Sequence, residues 1–116
     1  MTSATELLGK QCRHLETALS DQEIAEHLGA LDGWARQEGK IVKTFAFRDY
    51  YETLAFVNAI AYVIHAEDHH PELIVTYNRC TVKFDTHSVN GGRGGISEND
   101  FICAAKVDAV SRQGVR

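Results

Sequence analysis

The chain reads as an α+β domain of order αββαββα, a four-stranded antiparallel sheet with helices packed on one face. Three observations lead there. Two pairs of stretches alternate apolar and polar residues around turn signals, as the strands of hairpins do. Three further stretches carry apolar residues at helical spacing, two of them directly behind capping signals and the first behind a complete capping-box sequence. Along the chain the two patterns come in the order helix, hairpin, helix, hairpin, helix.

Residues 1–19 show no pattern of their own and are taken as an N-terminal extension of open role, ahead of a single domain over 20–116. Ser20-Asp21-Gln22-Glu23 has the capping-box form, and Ile24, Leu28 and Leu31 then recur at helical spacing, which predicts a helix over about 21–31. Trp34 and Arg36 lead to the Glu38-Gly39 turn signal, after which Ile41, Lys43, Phe45 and Phe47 alternate with Val42, Thr44 and Ala46 as a hairpin. Asp49 caps a long helix whose apolar residues, Leu54, Phe56, Val57, Ile60, Ala61, Val63 and Ile64, cover most of its circumference and predict a central position. Pro71 sets its limit, since proline disfavours the α conformation at His70. Leu73, Val75 and Tyr77, an Asn78-Arg79 turn, and Cys80, Val82 and Phe84 form the second hairpin. After the glycine-rich stretch 91–95, Ser97-Glu98-Asn99-Asp100 caps a last helix carrying Phe101, Ala104, Ala105, Val107 and Val110.

A length of 116 residues gives one domain, whose high surface-to-volume ratio association into a homo-oligomer would relieve. The net charge of -4 supplies no basic footprint for nucleic acid or an anionic membrane. The N-terminal residues lack the basic and apolar regions of a secretory signal, and no apolar run reaches the length of a membrane span, so a cytoplasmic protein is expected. Cys12, Cys80 and Cys103 are odd in number and without a CxxC, which suits reduced thiols of no special role, Cys80 and Cys103 in the core.

Chemistry concentrates in the histidines. Three of the six lie within residues 65–70, where groups able to exchange a proton near neutral pH are seldom needed for folding alone. His65 and His69, four apart, are expected on one helix face near its C-terminus, and Pro71 aims His70 elsewhere. A helix C-terminus favours a protonated His69, and Asp68 is placed to orient a neighbouring imidazole. His87 falls on the polar side of its strand, next to the glycine-rich stretch. The group suits general acid–base work on a small molecule. A zinc site is disfavoured because Ala66 stands where a metalloprotease helix would carry glutamate, and the glycine-rich stretch lacks the form of a phosphate-binding loop, so neither metal nor organic cofactor is expected.

The spaced pattern His65-x3-His69-His70-Pro71-x5-Tyr77-x9-His87-x12-Asp100, with Gly33-Trp34 and Phe45-Ala46-Phe47-Arg48-Asp49-Tyr50, resembles the pterin-4a-carbinolamine dehydratase family over about residues 31–110. The resemblance implies the same αββαββα fold and the removal of water from a 4a-hydroxytetrahydropterin to give the quinonoid dihydropterin, a step of tetrahydrobiopterin recycling. It implies that His69, His70 and His87 are the active-site histidines, with His69 and His87 exchanging protons and His70 mainly binding substrate. Pro71, Thr86, Ser88 and Val89 would line the pterin pocket with them, and His65, Asp68 and Asp100 would support it, although Asp100 also fits a purely structural part in the capping box. The substrate would be a pterin, the assembly a homo-oligomer, dimer or tetramer, and an aromatic amino acid hydroxylase a possible pathway partner. Animal members also serve as the dimerisation cofactor of a homeodomain transcription factor, so a non-catalytic binding module is the alternative. Two departures stand out: His65 replaces the family's usual glutamate, which bears on tuning of the acid, and the segment 89–96 is longer, which bears on substrate access.

Overall fold

Four antiparallel strands form the sheet in the order β1-β2-β4-β3: β1 (Ala35–Gln37), β2 (Lys40–Ala46), β3 (Glu72–Val75) and β4 (Arg79–Phe84). The structure, a computed structural model, describes residues 2–113. The four α-helices are α1 (Ala4–Leu8), α2 (Asp21–Gly29), α3 (Tyr50–Glu67) and α4 (Glu98–Gln113), and a 3-10 turn lies at Asn90–Gly92.

The strand alternation decides which face the helices cover. Ile41, Phe45, Cys80, Val82 and Phe84 point inward and are buried together with Phe56, Ile60, Phe101 and Ile102. Thr44 and Thr81 pair on the opposite face, their hydroxyls 2.9 Å apart near solvent. In the second hairpin Val75 faces Cys80 and the Thr76 N–H donates to the Arg79 carbonyl, so the turn is Tyr77-Asn78 and not the expected Asn78-Arg79. The same inward face nonetheless results, because Leu73 still pairs with Val82.

Lys43 is the polar exception on that face. Its ammonium reaches Asp108 at 2.8 Å and the Asp32 carbonyl at 2.9 Å, and the Trp34 indole donates to the same buried carboxylate at 3.0 Å. Gly33 fits beside it at a φ of 84°, where a Cβ would meet the lysine chain at 3.0 Å.

The central helix is α4, correcting the expectation drawn for α3. On α4 the buried residues include Asn99 to Ala105, Val107 and Asp108, whereas α3 buries Thr53, Phe56, Ile60 and Val63 and leaves Tyr51 81% and Tyr62 77% exposed. Greater apolarity placed α3 at the centre in the sequence; packing gives that place to α4, which packs against both α1 and α3. The short α1 closes the core with Leu7, fully buried.

Pro71 does not end α3 either. Asp68 takes a left-handed conformation at φ 49°, its N–H donating to His65 and that of His69 to Ile64, the two bonds of a Schellman turn. The helix therefore stops at Glu67, and His69 leaves its axis.

Candidate active site

Three pieces of chain meet where α3 ends. The Schellman turn carries Asp68, His69 and His70 away from the helix, the chain continues past the end of β4 at Phe84 through Asp85 to Ser88, which puts His87 beyond the strand and not on its polar side, and the N-terminus of α4 brings Ser97 and Asp100 beneath them. A pair of backbone hydrogen bonds between Thr86 and Gly95, at 2.8 and 2.9 Å, fixes the second piece against the third.

Asp100 is the hub. Its side chain is fully buried, and one oxygen lies 2.5 Å from Nε2 of His69, whose side chain is 13% exposed. The other oxygen accepts from the Ser97 N–H at 2.9 Å and the Thr86 hydroxyl at 3.0 Å. Three donors thus satisfy a carboxylate that would be costly to bury unpartnered. The His69 ring lies parallel to Phe84, 7° between planes and 5.9 Å between centroids. Carboxylate on one nitrogen and aromatic wall against the ring fix its orientation, as orienting partners do for catalytic imidazoles.

Two cavities adjoin at His69. One, of about 240 Å³, is lined by Asp68, His69, His70, Asp85, Thr86, His87 and Ser88. His70 and His87 stand well exposed there, each 3.5 to 3.6 Å from a carboxylate, Asp68 and Asp85 respectively. The second, of about 370 Å³, shares Asp68, His69, Thr86 and Ser88 and adds Cys12, Arg13, His14, Glu67 and Asn99. Among the described residues no group of three histidine, cysteine, aspartate or glutamate side chains is arranged to hold a metal ion.

A family model described as "Pterin 4 alpha carbinolamine dehydratase" matches residues 17–110. The chain belongs to that family. A "Putative pterin-4-alpha-carbinolamine dehydratase" of Bdellovibrio bacteriovorus is 61% identical over 96% of this chain and 92% of its own length. One of the same name from Nitrosospira multiformis is 48% identical over 94% of this chain and 96% of its own. Among solved structures, a "transcriptional coactivator/pterin dehydratase" from Brucella melitensis superposes with a TM-score of 0.73 at 35% identity, covering 81% of this chain and 98% of that one.

With the pterin dehydratase family established, the residues expected from sequence fall into two sets. His69, His70, His87, Thr86, Ser88 and Asp68 come together around one cavity, with Asp100 under His69. His65, Pro71 and Val89 lie outside the lining of both cavities, His65 exposed on the last turn of α3 and Val89 fully buried. The shared helix face expected for His65 and His69 does not form, because the left-handed Asp68 separates them. Asp100 accepts from the Ser97 N–H at the start of α4, the side-chain half of a capping box, and meets His69 with its other oxygen.

Sequence reasoning missed the wall built by residues 12–14, a stretch outside the family match. The Cys12 N–H donates to Glu67 at 2.7 Å, and Asn99 clasps Arg13 by accepting from its N–H at 3.2 Å and donating to its carbonyl at 2.6 Å. Burial alone would raise the Glu67 carboxyl, but the Cys12 N–H and the Lys106 ammonium outweigh it and hold it below its ordinary value. Glu98 behaves likewise, burial opposed and outweighed by hydrogen bonds from Lys10 and Arg13. The available signal was the cluster Lys10, Cys12, Arg13 and His14, polar and chargeable in a stretch without periodicity.

Proposed function

We propose that this chain dehydrates a 4a-hydroxytetrahydropterin to the quinonoid dihydropterin by histidine acid–base catalysis, with no metal or organic cofactor. The 4a-hydroxyl leaves as water and so must gain a proton, while N5 must lose one. His69 and His87 divide these transfers, and His70 with Thr86 and Ser88 holds the polar edge of the ring system. The observation that carries the reading is the His69–Asp100 pair: a buried carboxylate with all its donors in place, orienting an imidazole at the junction of two cavities. Such mounting serves a group that must meet a reacting atom at fixed geometry. The 61% identical relative supports the same reaction class. In a cell the reaction would belong to tetrahydropterin recycling.

The working form is a homo-oligomer, a reading supported by the apolar residues left in solvent on α3 and on the edge strand β3, Leu54, Tyr62, Ile74 and Val75 among them. The same exposed face suits the second reading, a protein-binding module without catalysis.

Dehydration of freshly generated 4a-hydroxytetrahydropterin, followed with wild type and His69→Ala side by side, separates the two. The dehydratase reading expects wild type to exceed the spontaneous rate and the variant to lose about 10²- to 10⁴-fold while staying folded. A folded wild type that adds nothing to the spontaneous rate would leave the binding module.

A further inference from the structure

Cys12 and Cys103 are 91 positions apart in sequence, yet their sulfurs are in contact at 3.5 Å. Cys103 is fully buried on α4, while Cys12 is half-buried and forms part of the wall of the larger cavity beside His69. Cys12 thus borders a cavity open to solvent while its sulfur touches that of the buried Cys103. The hydrogen bond with the Cys12 sulfur, and then burial, push the Cys103 thiol upward. We propose that Cys12 and Cys103 form a reversible redox pair, closed to an intrachain disulfide by peroxides and reopened by thiols.

The chemistry balances in two steps. The Cys12 sulfur displaces water from hydrogen peroxide and becomes a sulfenic acid, losing two electrons to the peroxide. The Cys103 sulfur then attacks that sulfenic sulfur, its proton leaving with the hydroxyl as a second water, and the sulfur–sulfur bond forms. A dithiol reductant reverses the result by exchange.

Closure asks for a short movement of the two sulfurs. A disulfide needs sulfurs about 2 Å apart, so the present contact has to shorten by roughly 1.5 Å. Cys12 lies in a stretch without regular secondary structure, tied down by its N–H bond to Glu67 and the Asn99 clasp on Arg13, and that stretch can make the move while α4 stays in place. Closure would lock residues 10–14 to α4 and fix one wall of the larger cavity. The loop closed is long, the case in which a cross-link most restricts the unfolded chain. Cys80 takes no part: it is buried on β4.

The test treats the folded, fully reduced protein with hydrogen peroxide, removes the oxidant, denatures and counts thiols. Free thiols are expected to fall from three to one, the chain to remain monomeric on a non-reducing gel, and proteolytic mapping to join the peptides of Cys12 and Cys103. Dithiothreitol should restore all three thiols, and the oxidised protein should melt at higher temperature than the reduced one. Cys12→Ser should abolish the joined peptide; Cys103→Ala provides the same check from the buried side should the first variant prove unstable. An unchanged thiol count, a linkage through Cys80, cross-linked dimers, or oxidation to sulfinic acid without a joined peptide would each overturn the proposal, and all four are read from wild type alone.

Discussion

The carboxylate of Asp100 joins the start of α4 to the His69 imidazole, one oxygen serving Ser97 and Thr86 and the other His69 at 2.5 Å. Helix start and candidate site residue are one piece of structure, so under the proposed reaction a substitution here is expected to move stability and rate together. Asp100→Ala should destabilise the fold by about 2 to 4 kcal/mol, from a lost cap and buried donors left unpaired. Asp100→Asn keeps the volume but turns a donor toward a site that needs acceptors. It should lower the dehydration rate by roughly 10² or more, with a smaller loss of melting temperature than Asp100→Ala. Thermal unfolding and the rate assay on both variants check this. A fully active Asp100→Asn would mean that the pair only builds the fold.

The histidines should rank by their placement. His69→Ala and His87→Ala are each expected to reduce the rate by about 10² to 10⁴, and His70→Ala chiefly to weaken substrate binding, seen as a raised KM. His65 projects from α3 into solvent outside both cavities, so His65→Ala and His65→Glu should leave the rate within about threefold of wild type, the scale of a screened surface charge. A loss in His65→Ala equal to that in His69→Ala would put His65 in the site.

Asp68 tests whether the turn matters for shape or for charge. Its side chain is 91% exposed and 3.5 Å from His70, an arrangement worth little, while its left-handed φ of 49° swings His69 off the helix and onto Asp100. Asp68→Gly, which meets that conformation freely, should keep or raise stability by about 0.5 to 1 kcal/mol and retain most activity. Asp68→Val should cost roughly 1 to 3 kcal/mol and lower the rate by displacing His69. If Asp68→Gly lost as much activity as His69→Ala with its fold intact, the carboxylate itself would be at work.

Periodicity made most of the fold legible. Strand alternation at Ile41, Phe45, Cys80, Val82 and Phe84 and the capping sequences at Ser20 and Ser97 translate directly into the sheet face and the helix starts. What stayed hidden depends on contacts between distant residues. That α4 rather than the more apolar α3 is central follows from α1 packing on it, which no local pattern announces. The end of α3 follows from a left-handed aspartate, a conformation that sequence marks clearly only when glycine is present. Of the site, the grouping of His69, His70 and His87 was readable from the spaced pattern, because it lies in two short stretches. The contribution of Cys12, Arg13 and His14 was not, since it depends on Glu67, Glu98 and Asn99, each far off in the chain.

Those same carboxylates should give the protein a defined weakness in acid. Glu67 and Glu98 both sit below their ordinary value of 4.5, burial opposing and hydrogen bonds outweighing it: Cys12 and Lys106 for Glu67, Lys10 and Arg13 for Glu98. A carboxyl whose pKa is lower folded than unfolded contributes stability that is complete above the unfolded value and is lost as pH falls through the folded one. The loss should therefore begin near pH 4.5 and continue below it, with no contribution to any change between pH 6 and 8. Because Cys12, Lys10 and Arg13 all belong to the N-terminal segment, acid should loosen this wall of the larger cavity before the sheet, visible as amide exchange rising first around residues 10–14. Glu98→Gln, which cannot ionise, should be less stable than wild type at pH 7 and show a shallower decline below pH 4.5, so the two curves converge in acid. Unfolding by urea at pH 7 and at steps below pH 4.5 measures both slopes. Parallel curves would show that neither Lys10 nor Arg13 gains anything from the charge on Glu98.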